Sequence, residues 1–401
     1  MKMVKVLEGS EAVALAVKTC RPQVISAYPI SPQTHIVEAL ARMVADGELA
    51  SQYVRVESEF SAASVISGAS AAGSRAYSAS SSQGLLLMTE VIYASVGMRL
   101  PFVMTGVNRQ ISAPISIQVD HQDTISLRDT GIIQLYVESS QEAYDMHIAA
   151  FKIAEDTGIL LPVMVCMDGW ILTHSYERVT FMEPEEVDRF LPPFSPPNYL
   201  DCRDPKTWGS YAEEDSLMEF KYAIQQAMLY SKKRIKEIFF ELAGITGRDH
   251  GGLVEPYQTE DADFILVTMG SVAGTVKEAV DRLREAGKKV GLVRIRCYRP
   301  FPQEDIWEAI KEAKVVGVVE ADYSMGSQGA VGMDLKASIC GRPGAPRLMN
   351  FIAGLGGREV NIEIISELFE KMQKAASGEP HPIQPEWVGL DREILSQGRQ
   401  P

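Results

Sequence analysis

The sequence holds only five cysteines in 401 residues (Cys20, Cys166, Cys202, Cys297 and Cys340), scattered and with no C-x-x-C spacing. A disulfide framework is therefore not expected. An iron–sulfur cluster held by this chain alone is not expected either, since cluster sites need closely grouped thiolates. Positive charge is also short. Lys and Arg number 39 against 53 Asp and Glu, a net charge of −14, which argues against nucleic acid as a partner because phosphate binding needs a basic footprint. The acid surplus reads most simply as a source of solubility, docking of basic partners being the alternative. No apolar stretch approaches the roughly 18 residues of a membrane span. Met1–Ser10 carries two lysines but no apolar core, so no signal peptide is expected. No G-x-G-x-x-G follows a strand, which leaves a nicotinamide-dependent dehydrogenase without support. These absences suit a reducing cytoplasm.

What is present is an ordinary globular composition, 46% hydrophobic and 23% charged, with length for two or three domains. Up to residue 168, short β-type runs alternate with helical patterns. The strands expected are Val24–Ala27, Tyr53–Val56, Arg75–Ser78, Pro101–Thr105, Gln134–Glu138 and Leu161–Met167, with helices at Thr34–Ala45, Phe60–Ala72, Leu85–Met98 and Gln141–Glu155. This α/β alternation predicts a parallel sheet covered on both faces. Residues 170–216, rich in proline, read as an extended arm, and Met218–Gly244 as one long helix with a basic run at Lys232–Lys236. That run is read first as a solvated face and second as a docking surface. A second αβ unit follows, with strands at Phe264–Thr268, Val290–Ile295, Val315–Val319 and Arg347–Ile352. The expected division is a first domain over 1–250 that includes the arm, a second over 251–375, and a peripheral tail over 376–401.

In a parallel αβ sheet, ligands sit at the carboxyl ends of strands, and the distinctive short sequences of the first domain fall there. Tyr28-Pro29-Ile30-Ser31-Pro32 follows the first strand, and Glu57-Ser58-Glu59 the second. Ser80-Ser81-Ser82-Gln83-Gly84 follows the third, and Gly106-Val107-Asn108-Arg109 the fourth. Four loops on one edge form a candidate site. Arg109 suits a carboxylate ligand, because a guanidinium binds one in fixed, bidentate geometry; a structural ion pair is the plainer role. Glu59 could equally be a carboxylate favoured by the positive end of its helix.

Taken together, Y-P-I-S-P, E-S-E-F-S-A, S-S-S-Q-G-L and N-R-x-x-S-A-P resemble the α chain of pyruvate and related 2-oxoacid:ferredoxin oxidoreductases. V-T-M-G-S-V-A-G-T at 267–275 and Y-R-P-F-P at 298–302 resemble the second domain of that family. The resemblance spans about residues 5–375. It implies a thiamine-diphosphate-binding, pyrimidine-type parallel-sheet domain followed by a transketolase C-terminal-like α/β domain. It further implies thiamine diphosphate shared with a β subunit, with Glu59 as the cofactor-activating carboxylate and Glu57 as its rival. Ser82, Gln83 and Gly84 would line the cofactor. Arg109 and Ser31 would hold a small-molecule 2-oxo acid, with Tyr28 as a pocket wall and Asn108 beside them, either on substrate or stabilising the loop. Mg²⁺ and [4Fe-4S] clusters would lie on other subunits of β, γ and δ type, in keeping with the absence here of G-D-G…N and of grouped cysteines. Coenzyme A would take the acyl group, and ferredoxin or another acceptor the electrons, so the chain would be inactive by itself.

Two departures bear on substrate. Ser31 stands where the family often has threonine, and Gln118-Val119 where many pyruvate-type members resemble one another in carrying Trp-Asn. Pyruvate is the first expectation; an aromatic 2-oxo acid such as phenylglyoxylate is the second, and a non-catalytic scaffold subunit is the alternative of another class. His121 and Asp123 suggest an acid–base or metal reading, but the expectation is a structural role.

Overall fold

The computed structural model describes residues 3–380 and 382–396. The chain opens with β1 (Val4–Glu8), α1 (Gly9–Cys20), β2 (Val24–Ala27), α2 (Thr34–Ala45), β3 (Gln52–Arg55) and α3 (Glu59–Ala71). It continues through β4 (Ala76–Ser80), α4 (Ser82–Gly97), β5 (Val103–Asn108), α5 (Gln122–Ile125), β6 (Ile133–Tyr136), α6 (Ser140–Glu155) and β7 (Val163–Asp168). Then come β8 (Tyr176–Thr180), α7 (Pro184–Phe190), α8 (Leu217–Thr246), β9 (Val254–Tyr257), β10 (Phe264–Thr268), α9 (Val272–Glu285) and β11 (Val290–Ile295). The last elements are β12 (Cys297–Arg299), α10 (Gln303–Ile310), β13 (Val315–Glu320), α11 (Ala330–Ile339), β14 (Arg347–Ile352), α12 (Ile362–Ala376), β15 (Glu386–Trp387) and α13 (Arg392–Ser396).

Two sheets organise these elements. The first has the order β12-β6-β7-β5-β4-β2-β3 and is parallel except for β12. The second has the order β15-β14-β13-β10-β11-β9, parallel except for β9. Central strands such as Val163–Asp168 and Val290–Ile295 are buried at every residue, as expected for parallel strands covered by helices on both faces. Strands β1 and β8 form a separate antiparallel ribbon.

The sheets share the stretch 290–299. Strand β11 belongs to the second sheet and β12 to the first, with Arg296 alone between them. Arg294 and Arg296, both 1% exposed or less, converge on Glu142 of α6. Arg294 reaches both Glu142 oxygens at 2.8 Å and Arg296 reaches Oε1 at 2.5 Å. Glu142 stands three residues after the N-cap Ser139, whose Oγ accepts from the Glu142 N–H, while Glu142 Oε2 accepts from Glu138 N–H. Burial would raise the pKa of Glu142, but the two arginine charges overcome it and hold the carboxyl well below the usual range.

Several expectations need correction. The stretch 170–216 is not without regular structure, because it holds β8 and α7. Beyond them it lies across the ends of α3 and α4, where Leu200 N–H donates to Ala71 O and Trp208 Nε1 to Met98 O. The tail is not wholly peripheral: β15 extends the second sheet beside β14, and Trp387 packs its ring on Tyr323. Residues 397–401 lie outside the described residues. The basic run on α8 needs no correction: Lys233 and Lys236 are exposed, in keeping with a solvated face, and its ion pairs stay within the chain, Arg234 with Asp156 and Glu237, and Lys236 with Asp305. No described helix is long and apolar enough to cross a membrane.

Removing Glu142 leaves two buried guanidinium groups to share the partly buried Glu255, with Glu138 near Arg294. Glu142→Gln is expected to cost about 3–5 kcal/mol, read as a lower urea midpoint. Its folded pKa is depressed, so its contribution is present above the unfolded value of 4.5 and is lost as pH falls through the lower folded value. The variant's stability should therefore fall less on acidification below about pH 4.5 than that of the unaltered chain.

Candidate active site

The four loops meet because of strand order. Strands β3, β2, β4 and β5 are consecutive neighbours and parallel, so their carboxyl ends share one edge.

Glu59 is the first residue of α3, behind the N-cap Ser58, whose Oγ accepts from Ser61 N–H at 3.2 Å. Its side chain is only 8% exposed, and its carboxylate accepts no hydrogen bond from the described residues. It lies against Gly84, where an added Cβ would fall 2.7 Å from Glu59 Oε1 and 2.5 Å from Ser80 Oγ. Only glycine fits between them. The hydroxyls of Ser80 and Ser81 are buried without partners among the described residues. Glu57, the rival, is exposed and engaged by the Ser61 hydroxyl, which with its own backbone lowers its pKa.

The other loops are tied together by Asp123, fully buried at the start of the short α5. Its Oδ2 accepts from Ser82 N–H at 2.9 Å and Arg109 N–H at 3.0 Å, and its Oδ1 from Asn108 Nδ2 at 3.1 Å and Thr124 N–H at 2.7 Å. Burial pushes the carboxyl up to about 6, against the pull of these four donors. Ser82, at φ 50°, is held in a left-handed turn by that bond and by its hydroxyl on Gln110 O at 2.7 Å.

Arg109 is 7% exposed. Its Nη1 donates to Ser31 O at 2.8 Å and its Nε to Ser116 O at 3.1 Å. Among the described residues it has no carboxylate partner for its guanidinium, and Nη2 takes no acceptor. Burial lowers its pKa, with Asp123 opposing. The Ser31 side chain is exposed with no partner among the described residues for its hydroxyl, and Tyr28 is exposed on the same loop.

The structure thus joins Ser31 to Arg109 directly, and Glu59 to Gly84 directly. The Ser82–Gly84 turn bridges the two groups, with Gln83 half-buried between them. Asn108 differs from the rest: it is wholly buried, with Nδ2 on Asp123 and on Thr124 Oγ1 at 2.7 Å, and so braces the loop from beneath.

The sequence reading gave Asp123 a structural role but left out its partners. Its signal was an acid at the start of a helical turn, yet its partners are mostly backbone N–H groups, which no sequence displays. Reasoning also left out the ion pair of His121 Nε2 with Asp168 Oδ1 at 2.8 Å. Asp168 Oδ2 accepts from Ser271 N–H at 2.8 Å and Ser271 Oγ at 2.5 Å. Burial lowers and Asp168 raises the His121 pKa, and the net shift is upward. Gly270 permits this approach, since a Cβ there would fall 2.8 Å from Asp168. Among the described residues no cluster of His, Cys, Asp or Glu could hold a metal ion.

Asp123→Asn turns an acceptor-only group into one that presents N–H₂ to several N–H donors. The expected cost is about 2–4 kcal/mol, against within about 0.5 kcal/mol for the exposed Glu57→Gln, both read from urea unfolding.

Comparison with known proteins bears on this geometry. Residues 15–239 match the family described as pyruvate flavodoxin/ferredoxin oxidoreductase, thiamine diP-bdg, and residues 262–365 match the pyruvate:ferredoxin oxidoreductase core domain II. The chain is 47% identical over 396 residues to pyruvate synthase subunit PorA of Methanosarcina barkeri, covering 98% of each. It is 41% identical over 389 residues to ketoisovalerate oxidoreductase subunit VorA of Pyrococcus abyssi, covering 97% of this chain and 98% of that one. Among solved structures, 2-oxoglutarate:ferredoxin oxidoreductase from Magnetococcus marinus shares the fold with a TM-score of 0.71 at 21% identity, over 92% of this chain and 65% of that one. The α/β architecture, the two matched segments and the full-length relatives agree: this chain belongs to the 2-oxoacid:ferredoxin oxidoreductase family, as an α subunit.

Proposed function

We propose that the chain supplies one side of a shared active site for coenzyme A-dependent oxidative decarboxylation of a 2-oxo acid, pyruvate in the first place. The observation that carries this reading is Glu59, only 8% exposed against Gly84, whose carboxylate finds no hydrogen-bond donor among the described residues. Beside it the Ser80 hydroxyl is buried without a partner among those residues, which is costly unless a ligand completes it.

Thiamine diphosphate fits these residues, because its aminopyrimidine offers a polar edge to Glu59 and to the unpartnered hydroxyls of Ser80 and Ser81. When bound, the cofactor supplies a nucleophilic carbon and an electron sink for loss of CO₂. Glu59 holds the proton that this activation needs, in a place where burial strengthens the bond. The Ser82-Gln83-Gly84 turn brings backbone close to the cofactor. Arg109 offers Nη2 to the substrate carboxylate while Nη1 and Nε fix the guanidinium. The Ser31 hydroxyl donates to the same carboxylate or to the 2-oxo oxygen, Tyr28 walls the pocket, and Asn108 supports the loop. Each turnover converts 2-oxo acid and coenzyme A to acyl-CoA, CO₂ and a proton, with two electrons leaving singly.

The electron path and the diphosphate half of the cofactor are assigned to partner subunits of β, γ and δ type that carry Mg²⁺ and [4Fe-4S] clusters, with ferredoxin or another acceptor downstream. The relatives named pyruvate synthase at 44–47% identity favour pyruvate over the branched-chain acid of a relative at 41%. The aromatic alternative draws no support from Gln118 and Val119. Gln118 packs on Gly357, and Val119, 8% exposed, lines the gap between the two sheets. A scaffold role is disfavoured by the unfilled bonding of Glu59 and Arg109. A cytoplasmic setting is proposed, consistent with cysteines that remain free thiols.

In the complex purified anaerobically with its native partners, Glu59→Gln should lower kcat about 10²–10⁴-fold with subunit composition unchanged; full activity would overturn the assignment. Arg109→Lys, which keeps the charge and loses the fixed fork, should raise KM for pyruvate at least about tenfold in the same viologen-reduction assay.

A further inference from the structure

Between the two sheets lies a cavity of about 300 Å³ that the proposed reaction does not use. It sits at the carboxyl ends of β10, β13 and β14, the edge where parallel αβ sheets take ligands. Val119, Ile171, Met269, Val272, Val319 and Val360 give it apolar walls. Some of the polar groups on its lining keep bonding capacity for a ligand. Asp120, 2% exposed, accepts two backbone N–H bonds, from Gln122 at 3.1 Å and from Gly356 at 3.3 Å. Burial, and next the nearby Asp123, push this carboxyl up to about 7. The Thr275 hydroxyl has no partner among the described residues. His121, 4% exposed and part of the wall, keeps Nδ1 buried without one.

This lining selects the ligand. Asp120, Asp168, Glu320 and Glu359 outnumber the one arginine at the mouth, Arg358, which disfavours an anion and so removes the 2-oxo acid and any phosphate-bearing group. The volume is at the lower end for small-molecule pockets, enough for a fused two-ring body.

We propose that this cavity binds a small uncharged heteroaromatic molecule through an N–H edge directed at Asp120, and that its occupation steadies the loop carrying Arg109. The connection is physical. The second sheet grips that loop through Gly357 N–H on Val119 O at 2.7 Å and His121 N–H on Ala321 O at 2.8 Å. Gln118 O in turn accepts from Gln110 N–H at 2.9 Å, and Ser116 O from Arg109 Nε. Binding rests on the cavity alone; the effect on turnover rests on the reading in the preceding section.

The test is calorimetric titration of the complex purified with its native partners, using indole and benzimidazole as probes and indole-3-acetate as the anionic control. Saturable binding of a neutral probe is expected with Kd of about 0.1–1 mM, at least about tenfold weaker for the anion. Val272→Phe, which fills the cavity, should abolish it, and Thr275→Val, which keeps the shape, should weaken it. Absence of saturable binding by both neutral probes, or binding unchanged in both variants, would overturn the site. With probe bound, KM for pyruvate should move at least about twofold at constant kcat; binding without such a shift overturns the coupling. A complex that binds the probes but turns over no oxo acid locates the failure in the proposed function instead.

Discussion

A carboxylate taken out of water is expensive unless donors replace its hydration, and Asp123 meets that condition with N–H groups from three separate segments. Because the donors are the Ser82 and Arg109 backbone and the Asn108 side chain, the energy that satisfies the buried charge also fixes two loop conformations at the sheet edge. Ser82 keeps its left-handed backbone and delivers Gly84 against Glu59. Arg109 is directed so that its side chain reaches back to Ser31. The positions of the proposed reacting groups thus follow from one desolvated anion.

A second buried carboxylate does for the sheets what Asp123 does for the loops. Glu142 closes the start of α6 and receives Arg294 and Arg296 from the strand that passes from one sheet to the other. The pairing holds the second sheet with its carboxyl edge against the loop 109–123, which Ala321 and Gly357 contact, while Ser271 bonds Asp168 at the end of β7. Both devices use charge where shape alone would allow sliding, and both would be destabilising if a partner were removed.

Much of this was legible in the sequence, and the reasons differ by element. Val24–Ala27, Phe264–Thr268, Val290–Ile295 and Arg347–Ile352 were read to the residue, since mostly buried parallel strands appear as continuous apolar or small-residue runs. The alternation of strand and helix placed four polar loops on one edge without further information. The ribbon of β1 and β8 was missed because its exposed residues break any apolar run, and β12 because three residues carry no period. Asp123 was read as structural, and its partners stayed hidden because backbone donors leave no mark in a sequence. For Asn108, its two candidate roles are told apart only by burial and partners. The resemblance supplied a role for Glu59, while the structure supplies the reason Gly84 must follow it at the neighbouring loop.

The most direct test of the account is a structure of the assembled complex with thiamine diphosphate and pyruvate bound. The account predicts Glu59 within hydrogen-bond distance, about 2.6–3.2 Å, of the cofactor's aminopyrimidine, and the Arg109 guanidinium on the substrate carboxylate. A cofactor completed by a carboxylate of another subunit, with Glu59 left facing protein, would contradict it.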